Sequence, residues 1–260
     1  MIISIDGKIV DSKKACIPIT STAFLHGFAV FETMRTYNKK VFRITDHIKR
    51  LYESVNILDL KPKWGPQKTC RVIDDLVFNS KYKENRIRVI LTPQKLIIMM
   101  EELKEKPESL YDSGVKLASY PGSRSIPDAK IFGDVICHLS HQYAAKHNLF
   151  YDSILVDPSS SHVRECSYAN IFWVKNGKLF TNDKSILYGI TRDTVIGLSG
   201  CKFEEIKLES LLKADEVFIT QTTSGILPVS TIDGNKIGDG KPGLKTKELM
   251  KEFFELTWKE

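Results

Sequence analysis

Residues 170–181 read NIFWVKNGKLFT. Two runs rich in β-branched and aromatic residues flank Asn176-Gly177, a pair that favours the type I′ turn of a two-residue hairpin. The chain opens on the same device, with MIISI and KIV around Asp6-Gly7. Working outward, AVFETMRTY (29–37) alternates with period two, and IRVILT (87–92), Leu96–Glu101, VKLASY (115–120), SILVD (153–157) and Glu216–Thr220 read as further strands. Helical periods interrupt them. Thr45 is placed to cap DHIKRLYESVNIL, with Ile48, Leu51, Val55 and Leu58 on one face. A second period runs from Cys70 to Ser80 through Val72, Leu76 and Val77. Others cover Val135–His147, the stretch from Thr191, and Leu244–Trp258, which carries Leu249, Phe253 and Leu256 on one side. Hairpins mixed with helices, without strict βαβ alternation, predict an α+β chain.

Length and composition narrow the class. The 260 residues allow one large domain or two modest ones. With 42% hydrophobic and 27% charged residues, the chain is globular and not disordered. PGSRSIP (121–127) breaks both periods and is the best linker, dividing an N-terminal domain (1–120) from a C-terminal one (128–260). No apolar run approaches the ~18 residues of a membrane span. The N-terminus carries Asp6 and no long apolar core, so a cytoplasmic location is expected. The net charge of +6 comes from scattered lysines with runs no longer than Lys13-Lys14 or Lys39-Lys40. That is a solvated surface, and no nucleic-acid partner is expected. Five cysteines without a CxxC pair give no zinc or disulfide framework. His138 and His141 lack the acid of an HExxH site, and no metal is predicted.

Gly238-Asp-Gly240-Lys-Pro-Gly243 matches GxGxxG, yet no βαβ unit surrounds it. It reads as a glycine-rich turn before the last helix. Three other places can carry chemistry. ILYGITRD (186–193) runs from a turn at Gly189 into a helix with Thr191 as a cap, and a helix N-terminus favours phosphate. Glu165 lies between apolar strands in VRECSYANIF (163–172), and Lys130 ends PDAK (127–130) at the domain boundary. Taken singly, each reads as an ordinary surface group or helix cap.

Together, seven stretches occur in order: FLHGFAVFETMRTYN (24–38), HIKRL (47–51), PDAK (127–130), ECSYANIFWVKNGKLFT (165–181), LYGITRD (187–193), DEVFITQTTSGILPV (215–229) and DGKPGLKTKEL (239–249). The chain resembles the class IV, fold-type IV pyridoxal-5′-phosphate enzymes over nearly its whole length. That family includes branched-chain and D-amino-acid aminotransferases and aminodeoxychorismate lyase. The resemblance implies an N-terminal α/β sandwich, a C-terminal barrel-like domain that binds pyridoxal 5′-phosphate, and a homodimer.

It also implies roles. Lys130 is the amine that condenses with the cofactor aldehyde and then shuttles protons. Glu165 holds the pyridine nitrogen protonated. Arg50, Ile190, Thr191 and Thr222 form the phosphate cup, and Leu187 packs near the ring. Arg35 and Arg88 are candidates for the substrate carboxylate, with Phe31, Tyr168 and Thr223 lining the substrate side. The implied activity moves an amino group between an amino acid, branched-chain or similar, and a 2-oxo acid. Aminodeoxychorismate lyase is the alternative, because VFETMRTYN and ECSYANIFW resemble that branch.

The sequence departs from the family at three places. Asp134 and Val135 stand where Asn and an aromatic residue or Leu are common. Gly225 stands where aminotransferases often have Glu. In TPQ (92–94), Pro93 cannot supply the carboxylate-binding arginine that D-amino-acid aminotransferases place there.

Overall fold

The computed structural model describes residues 1–146 and 150–259. His147, at the end of one expected helix, lies outside them. The chain forms two compact units. One comprises Met1–Lys104, Asp128–Gly133 and the residues from Thr257 on; the other comprises Glu105–Pro127 and Asp134–Leu256. The division therefore runs through other positions than 120 and 128. The stretch read as a linker belongs to the second unit, and the segment around Lys130 returns to the first. The reason is backbone pairing: Phe31 N donates to Lys130 O (3.0 Å) and Phe132 N to Ala29 O (2.9 Å).

The first unit runs β1 (Ile2–Ile5), β2 (Lys8–Val10), α1 (Thr22–His26), β3 (Val30–Tyr37), β4 (Lys40–Val41), α2 (Ile44–Ile57), α3 (Pro66–Phe78), β5 (Asn85–Leu91) and β6 (Leu96–Glu102). Its sheet has the order β2-β1-β6-β5-β3-β4, antiparallel throughout. Asp6 and Gly7 both take positive φ (53° and 80°), the type I′ geometry that joins β1 to β2. Helix α2 buries Ile48, Leu51 and Val55 against the sheet, at about 1.5–3 kcal/mol for each side chain fully buried. Its cap differs from expectation. The N-cap is Arg43 in the left-handed region, and Thr45 lies in the first turn. Helix α3 starts earlier than its apolar period suggested, because Gly65-Pro66 opens it with proline at a position where the missing N–H costs nothing.

The second unit runs α4 (Glu108–Ser113), β7 (Val115–Pro121), α5 (Val135–Lys146), β8 (Asp152–Val156), β9 (Val163–Cys166), β10 (Asn170–Lys175), β11 (Lys178–Thr181), α6 (Ile190–Leu198), β12 (Lys202–Phe203), α7 (Leu208–Leu211), β13 (Glu216–Gln221), β14 (Gly225–Ile232), β15 (Asn235–Lys236) and α8 (Leu244–Lys259). The nine-stranded mixed sheet has the order β12-β11-β10-β13-β14-β7-β8-β9, with β15 on β14. Cys166 N donates to Ala169 O (2.7 Å), which brings the far edge strand β9 beside β10. The sheet thus curls back on itself like a barrel. Ile171, Trp173, Ile219, Leu227 and Leu117 fill one face of the curl. Strand β14 escapes a sequence reading because Gly225 and Pro228 punctuate it. Pro228 precedes Val229, where pairing with β7 begins, so no ladder bond to β7 is lost there. The glycine-rich 238–243 turn leads into α8. Gly243 leaves room for the Glu216 carboxylate, which a Cβ there would strike. That carboxylate accepts from Thr246 N (2.8 Å) and Lys245 N (3.1 Å) and so caps the helix.

Candidate active-site clusters and family

In the first unit, chemistry begins with the alternation of β3. Val30, Glu32, Met34 and Thr36 all point into the core. A carboxylate between Val30 and Met34 must be compensated, because an unpaired buried charge costs several kcal/mol. One face of α2 supplies the partners. Arg50 Nε donates to Glu32 Oε1 (2.6 Å) and Arg50 Nη2 to Oε2 (2.8 Å), while His47 Nδ1 lies 2.8 Å from Oε2. Burial would raise the Glu32 carboxyl, but the Arg50 charge and these bonds hold it well below the usual carboxylate range. For His47, burial pushes the imidazole down, and the charges of Arg50 and Lys130 add to that push against the opposing pull of Glu32. His47 is therefore a neutral donor to Glu32 near pH 7.

One turn beyond Arg50, Ser54 Oγ donates to Arg50 O (2.9 Å) and accepts from Lys130 N (3.0 Å). The Lys130 backbone is thus held from α2 through its N–H and from β3 through its carbonyl. The Lys130 ammonium sits 4.7 Å from the centre of the Phe31 ring, and the Arg88 guanidinium 5.5 Å from the same ring. Phe132 meets Phe31 edge-on. Of the expected substrate residues, Phe31 and Arg88 therefore gather at Lys130. Arg35 does not. It lies four residues along β3, roughly 13 Å at ~3.3 Å per residue, stacked over Tyr37 with its Nε bonded to Thr36 O.

In the second unit, Glu165 on β9 is buried. Its Oε1 accepts from Arg124 Nε (2.8 Å) and Leu187 N (2.9 Å), and its Oε2 from Asn170 Nδ2 (3.3 Å). Asn170 Nδ2 also donates to Leu187 O (2.7 Å), so Leu187 orients the carboxylate through its backbone. Arg124 carries a second carboxylate, with Nη1 3.0 Å from Asp134 Oδ2. Burial opposes its charge, but Glu165, Cys137 and Asp134 outweigh burial and keep it cationic.

Helix α6 starts beside Asn170. Its N-cap is Gly189, with no side-chain cap bond, and Ile190 and Thr191 are buried in its first turn. Thr191 is thus not the cap expected from the sequence; Gly189 takes that place because a Cβ there would collide with Asn170 Oδ1. The uncapped turn leaves N–H groups for an anion. Asn170 pairs with Thr220 across β10 and β13, so the two side chains share a face. Among the described residues, Thr220 Oγ1 is buried without a hydrogen-bond partner. An orphaned hydroxyl and an uncapped helix start fit an anionic group such as a phosphate. Thr222 and Thr223 form the turn that follows Thr220 between β13 and β14. That turn is tied to Tyr168, whose carbonyl accepts from Gln221 Nε2 (3.3 Å). The structure therefore brings Glu165, Leu187, Ile190, Thr191 and Thr222 to one end of this sheet. Sequence reasoning missed Glu32, His47 and Ser54 in the first unit, and Arg124, Asn170 and Thr220 in the second. The available signal was an acid on the buried face of β3 and His47, Arg50 and Ser54 at helical spacing.

Comparison with known proteins gives the family. The family profile "Amino-transferase class IV" matches residues 29–232. The chain belongs to the class IV aminotransferases. The branched-chain-amino-acid aminotransferase of Escherichia coli is 27% identical over 96% of this chain and 91% of that protein. A D-alanine aminotransferase of Listeria monocytogenes is 27% identical over 98% of this chain and 96% of that protein. The crystal structure of a T.th. branched-chain amino acid aminotransferase with pyridoxamine 5′-phosphate superposes with a TM-score of 0.91 at 26% identity, covering 98% of this chain and 93% of that one. The α+β, fold-type IV architecture is thereby established. The protein is a pyridoxal-phosphate-dependent aminotransferase, and this reading is favoured over aminodeoxychorismate lyase.

Proposed function

We propose that this aminotransferase takes the amino group of an L-amino acid, branched-chain or similar, and passes it to a 2-oxo acid. The observation that carries the assignment of roles is the two-sided backbone hold on Lys130 beside the Glu32–Arg50–His47 cluster. When bound, pyridoxal phosphate supplies an aldehyde for the amino group and a ring that draws electrons from the substrate Cα–H bond. Lys130 Nζ would anchor the cofactor and carry the substrate Cα proton. Glu165 keeps a proton on the pyridine nitrogen. Arg50, the Ile190–Thr191 turn and Thr222 hold the phosphate, with Thr220 adding its hydroxyl. Phe31, Arg88, Tyr168 and Thr223 face the substrate, with Arg35 at the far end of β3.

The same reading makes the protein a cytoplasmic homodimer. Supporting it, no helix among the described residues is long and apolar enough to cross a membrane. The segment around α1 exposes Ile17, Ile19, Phe24 and Leu25, and α1 buries none of its residues. A second donor class is kept for the test, because relatives named D-alanine aminotransferase match as well as branched-chain ones. L-leucine or L-glutamate, added without acceptor, should convert the cofactor's visible band to that of pyridoxamine phosphate, and a 2-oxo acid should reverse it. Conversion by D-alanine and by neither L-donor would overturn the L-specific assignment.

A further inference from the structure

The Arg124 guanidinium is buried between two carboxylates, with Nε on Glu165 Oε1 (2.8 Å) and Nη1 on Asp134 Oδ2 (3.0 Å). Its Nη2 also reaches Ser167 O (3.4 Å). A buried arginine with one carboxylate forms a neutral pair. With two, the cluster carries a net charge of −1. Both side chains of the Arg124–Glu165 pair are no more than 5% exposed and Asp134 is 14% exposed, so water screens this charge weakly. A net negative cluster out of water calls for a cation.

The geometry carries that charge to Glu165, whose carboxylate is held in place by Arg124, Leu187 and Asn170. We propose that Asp134 is a positioning residue for the ring-nitrogen site. By engaging the far end of Arg124, it offsets that arginine's charge and lets Glu165 act as a full anion toward a protonated pyridine nitrogen. This rests on the role of Glu165 proposed above. Asp134 lies in the region where Asn is common in the family, and Asn would accept the same bond without the charge. Cys137 is a further titratable group set against Arg124.

The test uses holoenzyme reconstituted with pyridoxal phosphate labelled with 15N in the ring, whose chemical shift reports ring protonation across pH independently of turnover. Asp134→Asn keeps shape and hydrogen bond while removing the charge. It should lower the ring-nitrogen pKa by about one unit, the order expected for one charge at an effective permittivity of ~20. Asp134→Glu should restore it. Arg124→Lys keeps the cluster's charge but breaks the two-sided bridge, and should leave the nitrogen protonated; a fall equal to that of Asp134→Asn would overturn the charge argument. Glu165→Gln separates the layers. If Glu165→Gln strips the proton and Asp134→Asn does not, the Asp134 role is wrong. If Glu165→Gln leaves protonation unchanged, the Glu165 reading itself fails.

Discussion

Replacing Arg50 by alanine tests whether the first cluster is a structural charge pair as well as a cofactor contact. Glu32 has no exposed surface, and Arg50 meets both of its oxygens at 2.6 and 2.8 Å. Removing one partner of a buried, hydrogen-bonded pair costs about 3–5 kcal/mol, because the remaining charge stays out of water. That is a large share of a typical 5–15 kcal/mol of folding stability. Arg50→Ala should therefore lower the urea midpoint of the apo-protein steeply at neutral pH, before any effect on cofactor affinity is considered. Glu32→Gln in the same background should recover part of the loss, since the amide needs no counter-charge. The acid dependence has a definite sign. In the wild type the Glu32 carboxyl sits below its ordinary value of 4.5, so its stabilising share is present above that pH and is lost below it. In Arg50→Ala burial acts against the charge, the carboxyl takes up a proton at higher pH, and the gap to wild type should narrow as pH falls. Far-UV circular dichroism in urea, on wild type, both single variants and the double variant, measures the coupling. An Arg50→Ala apo-protein as stable as wild type at neutral pH would refute the reasoning.

Two further expectations follow from the same geometry. His47 is pushed below its ordinary 6.5 by burial, so the unfolded chain takes up that proton first; apo-protein stability should fall as pH drops below about 6.5, and a flat urea midpoint between about pH 7 and 5 would contradict it. Gly189→Ala should drive Asn170 off Glu165 and Leu187; leaving that amide unpaired costs roughly 1–3 kcal/mol, read as a drop in urea midpoint together with weaker pyridoxal phosphate binding by fluorescence titration, and normal values in both would refute the packing argument.

The two hairpins were legible because Asp6-Gly7 and Asn176-Gly177 carry their turn type in two letters, and both pairs adopt positive φ. The burial of α2 was legible in its 3.6-residue period; its start was not, since Arg43 in the left-handed region leaves no mark in composition. The expected site residues came from motif order, and the structure gathers most of them into two clusters. The supporting groups were hidden for physical reasons. Arg124 lies in a proline- and glycine-marked stretch that reads as linker, yet its guanidinium is buried. Asn170 heads a strand whose apolar pattern masks its amide. Glu32 was visible as an acid in an alternating strand, but only the register of α2 against β3 shows that His47 and Arg50 meet it.

The central claim is that Lys130 is the lysine that carries the cofactor. Borohydride reduction of the holoenzyme, followed by proteolysis and mass-spectrometric mapping, reads it directly. The pyridoxyl group is predicted on Lys130 and should be missing from Lys130→Ala, which keeps its fold because the lysine side chain is not part of the core. A pyridoxyl group found on another lysine of the wild-type protein would contradict the account.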